Sequence, residues 1–223
     1  MACRVEVYKE MKLDKEAKRN HKVYLERKDL YKSLGYDVDR ERDFILEQAR
    51  PVFGKILEAG TGKGHFALAL AKAGYQFVTF DISAAEQYFA KQNIKYFGFE
   101  KQVDFRIENG ERTSFPEGSF DTLFSVNVLH HLRNPRQVID EFMRLVSPQG
   151  KIIVADFTDE GFKIMDKIHA LEGNKHEVGK IRLADVEAYL KERSFLVRNI
   201  ESAYQHILIA SKDLNKINDH FSR

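Results

Sequence analysis

From about Lys55 onward, short runs rich in β-branched and aromatic residues alternate with stretches whose apolar positions fall three and four apart. The runs cover residues 55–58, 77–81, 103–108, 120–127 and 151–156, and each is short enough for a buried strand. Between the first two, Phe66, Ala69, Leu70 and Ala73 line one helical face, and Gly74 follows as a stop. Asn134 before Pro135 predicts another helix start, with Asn capping free amides and proline needing no donor; Val138, Ile139, Phe142 and Met143 supply its buried face. Strands alternating with helices predict an α/β fold whose parallel sheet is covered on both faces.

The two ends read differently. A helix at 184–193 precedes β-runs at 195–200 and 205–210, so close together that they predict an antiparallel hairpin closing one edge of the sheet. Residues 1–50 are helical in pattern, with Ala17, Tyr24 and Tyr31 seven apart on one face. We therefore expect a helical appendage at 1–50 on the substrate side, a nucleotide-binding unit at 51–212 and a tail at 213–223.

Composition narrows the function classes. No apolar run approaches the ~20 residues of a membrane span, and the N-terminus lacks a secretory core, so a cytoplasmic location without a membrane role is expected. The single cysteine, Cys3, excludes an internal disulfide framework and a thiolate zinc cluster. No His, Asp and Glu cluster has metal-ligand spacing, and no metal is expected. A net charge of +2 gives little reason for nucleic-acid binding by the whole molecule. Ten Lys and Arg against six Asp and Glu in the first 32 residues leave a local RNA-binding face open, although a solvated amphipathic helix explains them as well.

The most informative stretch is Glu58-Ala59-Gly60-Thr61-Gly62-Lys63-Gly64, where a strand ends in an acid and enters a glycine-rich turn before a helix. Glycines there permit close approach of the backbone to a ligand. A dinucleotide fingerprint would place its third glycine at position 65, which is His65; the glycine comes one residue early, at Gly64. Nicotinamide or flavin binding is thereby demoted. About twenty residues on, Asp81 ends the second strand, where a carboxylate can accept from two ribose hydroxyls or cap the next helix.

Residues 58–64 resemble the Glu/Asp-x-Gly-x-Gly-x-Gly motif of class I S-adenosylmethionine-dependent methyltransferases. Glu108-Asn109-Gly110 and Phe115-Pro116-Glu117-Gly118-Ser119-Phe120-Asp121 resemble the family's adenine loop and its Pro-x-x-x-x-Phe-Asp stretch, with Asn109 where the family usually has Asp. Leu129-His130-His131-Leu132 is similar to the Leu-His-His-Leu of the type 11 group. The resemblance implies a Rossmann-like, seven-stranded, mostly parallel sheet and S-adenosyl-L-methionine as cofactor. It implies Glu58, Gly60, Thr61, Gly62 and Gly64 toward the methionine end, Asp81 and Ile82 at the ribose and adenine, Asn109 and Gly110 at the adenine, and Asn127 at the end of the fourth strand.

In such enzymes the cofactor carries the leaving group, and the protein aligns acceptor, methyl carbon and sulfur. Asn127 and His130 are the candidate catalytic residues; a neutral imidazole could take a proton from a phenol, hydroxyl or ammonium, or could merely pack the cofactor edge. Tyr24, Tyr31, Phe157, His169 and His176, from the least family-like segments, are candidate acceptor-pocket walls. No Asn-Pro-Pro-Tyr or Asp-Pro-Pro-Tyr follows the fourth strand, which turns the expectation away from exocyclic amines of bases or glutamine. The leading expectation is a monomeric or dimeric enzyme acting on a small molecule. An RNA or protein methyltransferase docking through the N-terminal helices, and a non-catalytic cofactor-binding module, remain open.

Overall fold

The computed structural model describes residues 15–173, 179 and 181–217. Two helices, α1 (Lys15–Ser33) and α2 (Val38–Gln48), precede β1 (Ile56–Ala59), α3 (His65–Lys72), β2 (Phe77–Asp81), α4 (Ala84–Tyr96), β3 (Val103–Ile107), β4 (Phe120–Val126), α5 (Pro135–Leu145), β5 (Val146–Phe157), α6 (Asp159–Leu171), α7 (Leu183–Glu192), β6 (Leu196–Glu201) and β7 (Gln205–Ser211). The strands form one seven-stranded sheet in the order β3-β2-β1-β4-β5-β7-β6. Pairings from β3 through β5 are parallel, and β7 runs antiparallel to both β5 and β6. The hairpin thus closes the sheet with its second strand inside and its first, β6, at the edge. Among the described residues no helix is long and apolar enough to cross a membrane.

Alternation along the strands sends successive side chains to opposite faces. Ile56, Phe124, Val126, Ile153 and Ile207 meet α2 and α3 on one face. Leu57, Ala59, Leu123, Ile152 and Leu208 meet α5 and α7 on the other. Helices α1 and α2 share the first core through Tyr24, Ile45, Leu46 and Ala49. A smaller cluster of Tyr36, Val38, Met165 and Ile168 joins the start of α2 to α6.

Local chemistry departs from the sequence expectation at three places. Asn134 sits at the N-cap of α5 but makes no side-chain capping bond; its amide instead donates to Glu111 Oε1 at 2.9 Å, and Pro135 alone supplies the start signal. Strand β5 begins at Val146 rather than Lys151, because Val146 pairs with Phe120 across an irregular register before the regular ladder starts. Helix α4 has no apolar stripe that periodicity could detect, since its buried face holds Gln87 and Asn93 beside Ala90 and Ile94.

The chain leaves β1 toward β2 on one side and returns to β4 on the other. This reversal opens a crevice at the carboxyl ends of β1 and β4, where open α/β sheets bind ligands.

Candidate active site

A cleft of about 850 Å³ occupies that crevice. Its floor is the turn after β1. Gly60 and Thr61 donate their backbone N–H groups to Phe80 O at the end of β2, both at 2.9 Å, which bends the chain back over the sheet. Gly60 has φ +90°, and a Cβ there would lie 2.4 Å from Val128 Cγ2, so both conformation and space demand glycine. Gly62 donates to Asp81 Oδ2 at 2.7 Å and borders the cleft. Gly64 does not: it opens α3, and a Cβ on it would lie 2.6 Å from Ala90 Cβ, so the structure places it between α3 and α4.

Glu58 ends β1 and is 1% exposed. Thr79 donates its hydroxyl to Glu58 Oε2 at 2.6 Å; Thr61 lies 2.6 Å from Thr79 and accepts from Gln87 Nε2 at 3.3 Å. A directed chain from Gln87 through Thr61 and Thr79 therefore ends on this carboxyl. Burial, with the Asp81 charge adding to it, pushes Glu58 up to about 8, so it is mostly protonated at neutral pH. Asp81 also accepts from Ser83 N at 2.8 Å, but the N-cap of α4 is Ser83, whose hydroxyl oxygen accepts from Glu86 N at 3.2 Å. Each Asp81 oxygen keeps a further lone-pair site for a hydroxyl.

On the nucleoside side the cleft is bordered by Asp81, Ile82, Asn109 and Gly110. Ile82 is 71% exposed, an apolar surface placed where a flat ring could cover it. Asn109 Oδ1 accepts from Glu111 N at 3.0 Å, so an Asx turn orients the amide.

The opposite side is cationic and aromatic, with Arg27, Arg42, Lys63, Tyr31, Tyr36 and Phe157 on the wall. Sequence reasoning missed Arg42 and Tyr36, whose burial depends on α2 docking beside α3 on one face of the sheet. Arg42 is buried at 8% exposure, and its guanidinium donates to Tyr36 OH at 3.2 Å. Asn127 has φ +56° and follows β4. With donors facing acceptors, its amide oxygen accepts from Arg42 at 2.9 and 3.1 Å and its nitrogen donates to Gln205 Oε1 at 2.9 Å. Gln205 in turn donates to Tyr36 OH at 2.9 Å. Arg42 thus donates only to neutral oxygens, while the neighbouring Glu41 interacts with its charge. A buried guanidinium hydrogen-bonded only to neutral groups at the cleft wall can take up an anionic ligand. His65, at the start of α3, is driven down to about 3 by burial and by Arg42, Arg27, Lys63 and Lys28, and so stays neutral.

His130 lies on the cleft wall, 3% exposed. Its Nδ1 is 2.6 Å from Asp156 Oδ1, and its backbone N–H donates to Asp156 Oδ2 at 3.1 Å. Phe157 and Phe162 flank the ring with centroids 5.6 and 5.3 Å away. Among the expected wall residues, Tyr31, Phe157 and His169 border the cleft. Tyr24 lies in the core, its ring 5.3 Å from that of His65, and His176 falls outside the described residues.

The residues fit S-adenosylmethionine in chemical kind: a glycine floor, a carboxylate with lone pairs to spare, an exposed apolar surface and a buried guanidinium border one cleft. Among the described residues no group of three or more His, Cys, Asp and Glu is placed to hold a metal.

Residues 57–154 match the family described as a methyltransferase domain. The chain is 25% identical over 158 residues to a 27-O-demethylrifamycin SV methyltransferase of Amycolatopsis mediterranei, covering 68% of this chain and 57% of that protein. It is 23% identical over 167 residues to a ubiquinone biosynthesis O-methyltransferase of Xanthomonas axonopodis pv. citri, covering 71% and 69%. The PH0226 protein of Pyrococcus horikoshii superposes with a TM-score of 0.65 at 20% identity, over 78% of this chain and 91% of that one. The chain spans 57% of the length of the rifamycin enzyme it matches.

Proposed function

We propose that this chain is an S-adenosylmethionine-dependent methyltransferase that transfers the cofactor's methyl group to a small molecule, a reading supported by the match of residues 57–154 to a methyltransferase domain and by the methyltransferases it resembles. The bound sulfonium supplies both the activated methyl group and its leaving group. The observation that carries the reading is the single cleft joining the glycine turn and Asp81 to an aromatic, cationic wall that holds His130. Gly60, Thr61 and Gly62 form the floor under the methionine portion, and Arg42 takes its carboxylate. Asp81 accepts the ribose hydroxyls, while Ile82, Asn109 and Gly110 hold the adenine.

Tyr31, Phe157 and His169 border the acceptor, Asn127 holds Arg42 in place, and His130 receives the acceptor's proton. A cleft of this size suits a small ligand beside the cofactor. The curated relatives named as acting in rifamycin and ubiquinone chemistry support a small-molecule acceptor.

The RNA-docking alternative gains little from the N-terminal helices. Arg27 pairs with Glu172 at 2.9 Å, Lys32 with Asp37 at 3.3 Å and Lys28 with Asp39, so these α1 cations are already engaged within the fold. We regard residues 1–50 as the substrate-side part and 51–212 as the cofactor unit of one site, with 213–223 as a tail. Titration calorimetry with S-adenosylmethionine, S-adenosylhomocysteine and NAD tests the reading: saturable binding of the first two is expected, and binding of NAD alone would overturn it.

A further inference from the structure

We propose that Asn109 turns an amide donor toward the 6-position of the bound purine, so that the site takes a 6-oxopurine form of the cofactor and its product about as readily as the 6-amino form. This rests on the methyl-transfer reading above and on its placing of the base beside Ile82, Asn109 and Gly110. Asn109 borders the cleft, and its Oδ1 accepts from Glu111 N at 3.0 Å. Its Nδ2 has no acceptor among the described residues. Swapping the two ends of the amide would lose that bond and set Nδ2 against the Glu111 N–H, donor against donor. The backbone therefore fixes the orientation, and the end left for a ligand is the donating one.

The loop is held in this shape from several sides. Arg112 N donates to Asn109 O at 3.0 Å, closing a turn over residues 109–112. Glu108 N donates to Asp81 O at 3.2 Å, which fixes the start of the turn to the end of β2. Asn134 donates to Glu111 Oε1 at 2.9 Å and ties its other side to the start of α5. The acids on either side of the amide are drawn off: Glu108 accepts from Ser114 N at 3.1 Å and from the Ser114 hydroxyl, and Glu111 is held by Asn134. The polarity that the loop offers the base is therefore set by Asn109.

A 6-aminopurine carries N–H donors at that position, whereas a 6-oxopurine carries an accepting oxygen. An amide donor pairs with the oxo group and meets the amino group donor to donor. Specificity is a difference of affinities, and exchanging a hydrogen bond for such a mismatch changes it by ~10-fold or more. The contacts made to the ribose, the methionine portion and the apolar face of the base do not involve this position, so they hold both forms.

Calorimetric titration of the full chain with S-adenosylhomocysteine and its deaminated analogue S-inosylhomocysteine tests this. Wild type should bind the inosyl compound within ~5-fold of the adenosyl one, or more tightly. Asn109→Asp keeps an oxygen for Glu111 N and puts a second acceptor where the amide donated. It should shift the ratio of the two dissociation constants by ~10- to 100-fold toward the adenosyl compound. The added charge acts on both ligands and cancels in that ratio. Asn109 is exposed, so the variant should melt within ~2 °C of wild type. A residue that only shapes the turn would leave the ratio unmoved, since Asp supplies the same turn.

A wild-type preference for the adenosyl compound beyond ~5-fold would mean that Oδ1 serves Glu111 N and the 6-amino group together. That result would overturn the proposal and leave the cofactor site standing, and so would an unmoved ratio in Asn109→Asp. Saturable binding of neither compound by wild type would overturn the cofactor reading itself, and the proposal with it.

Discussion

Replacing Glu58 with Gln should change how the stability of the cofactor-free protein depends on pH. Glu58 titrates at about 8 in the fold against the ordinary 4.5, because burial penalises its charge. Between those values the folded protein keeps a proton that the unfolded chain has released. Stability contributed by this group therefore falls as pH rises from about 4.5 to about 8, and is level above that. The fall is at most ~1.4 kcal/mol per pH unit and ~5 kcal/mol in total. Gln matches the shape and hydrogen-bonding capacity of the protonated carboxyl but cannot ionise. The two proteins should be nearly equal near pH 5, and Glu58→Gln should be increasingly the more stable up to pH 8. In a domain of this size the gap in melting temperature should widen by roughly 3–5 °C per pH unit. His65, held down to about 3, is common to both proteins and cancels in the difference. Thermal and urea unfolding from pH 5 to 9 measures it. Parallel curves across that range would refute the claim that Glu58 is protonated in the fold.

Gly60→Ala should abolish cofactor binding in calorimetry and lower urea stability by ~1–3 kcal/mol, since the added Cβ meets Val128 at 2.4 Å with φ at +90°. Asp81→Ala should weaken S-adenosylhomocysteine binding by ~10- to 100-fold through lost ribose bonds, and an unchanged Kd would remove Asp81 from the site. Arg42→Met should weaken S-adenosylhomocysteine but not 5′-methylthioadenosine, which has no carboxylate; equal losses for both would mean that Arg42 acts on the fold and not on the carboxylate. Because the same variant leaves the Asn127 amide oxygen without its donor, it should also unfold at lower urea than wild type, by ~1–3 kcal/mol.

The parallel half of the sheet was legible because its strands are short apolar runs with clear ends, and the glycine turn was legible because its residue types leave few alternatives. Helix α4 was not, since Gln87 and Asn93 lie on its buried side and are satisfied only by distant partners. Gln87 donates to Arg106 O at 2.8 Å, and Asn93 is bonded by Asn20 at 2.9 Å. Tyr24 and Tyr31 share a helical face, yet one lies in the core and the other borders the cleft, because each turn of α1 meets different elements of the fold. Asp156 read as an ordinary strand end until the register of β4 and β5 brought it beside His130, 26 residues away.

By itself, then, the sequence determined the layer architecture, the reversed hairpin and the nucleotide-binding turn, since each depends on neighbours within a few residues: alternation, a strand ending in Glu58, glycines at set spacing. Only the tertiary structure decided the state of Glu58, the burial of Arg42 among neutral hydrogen-bond partners and the pairing of His130 with Asp156. Those properties come from what is excluded from water and what is brought within hydrogen-bond range by elements far apart in the chain. Burial sets the charge of a carboxyl and geometry sets the tautomer of an imidazole, and neither is carried by any local run of residues.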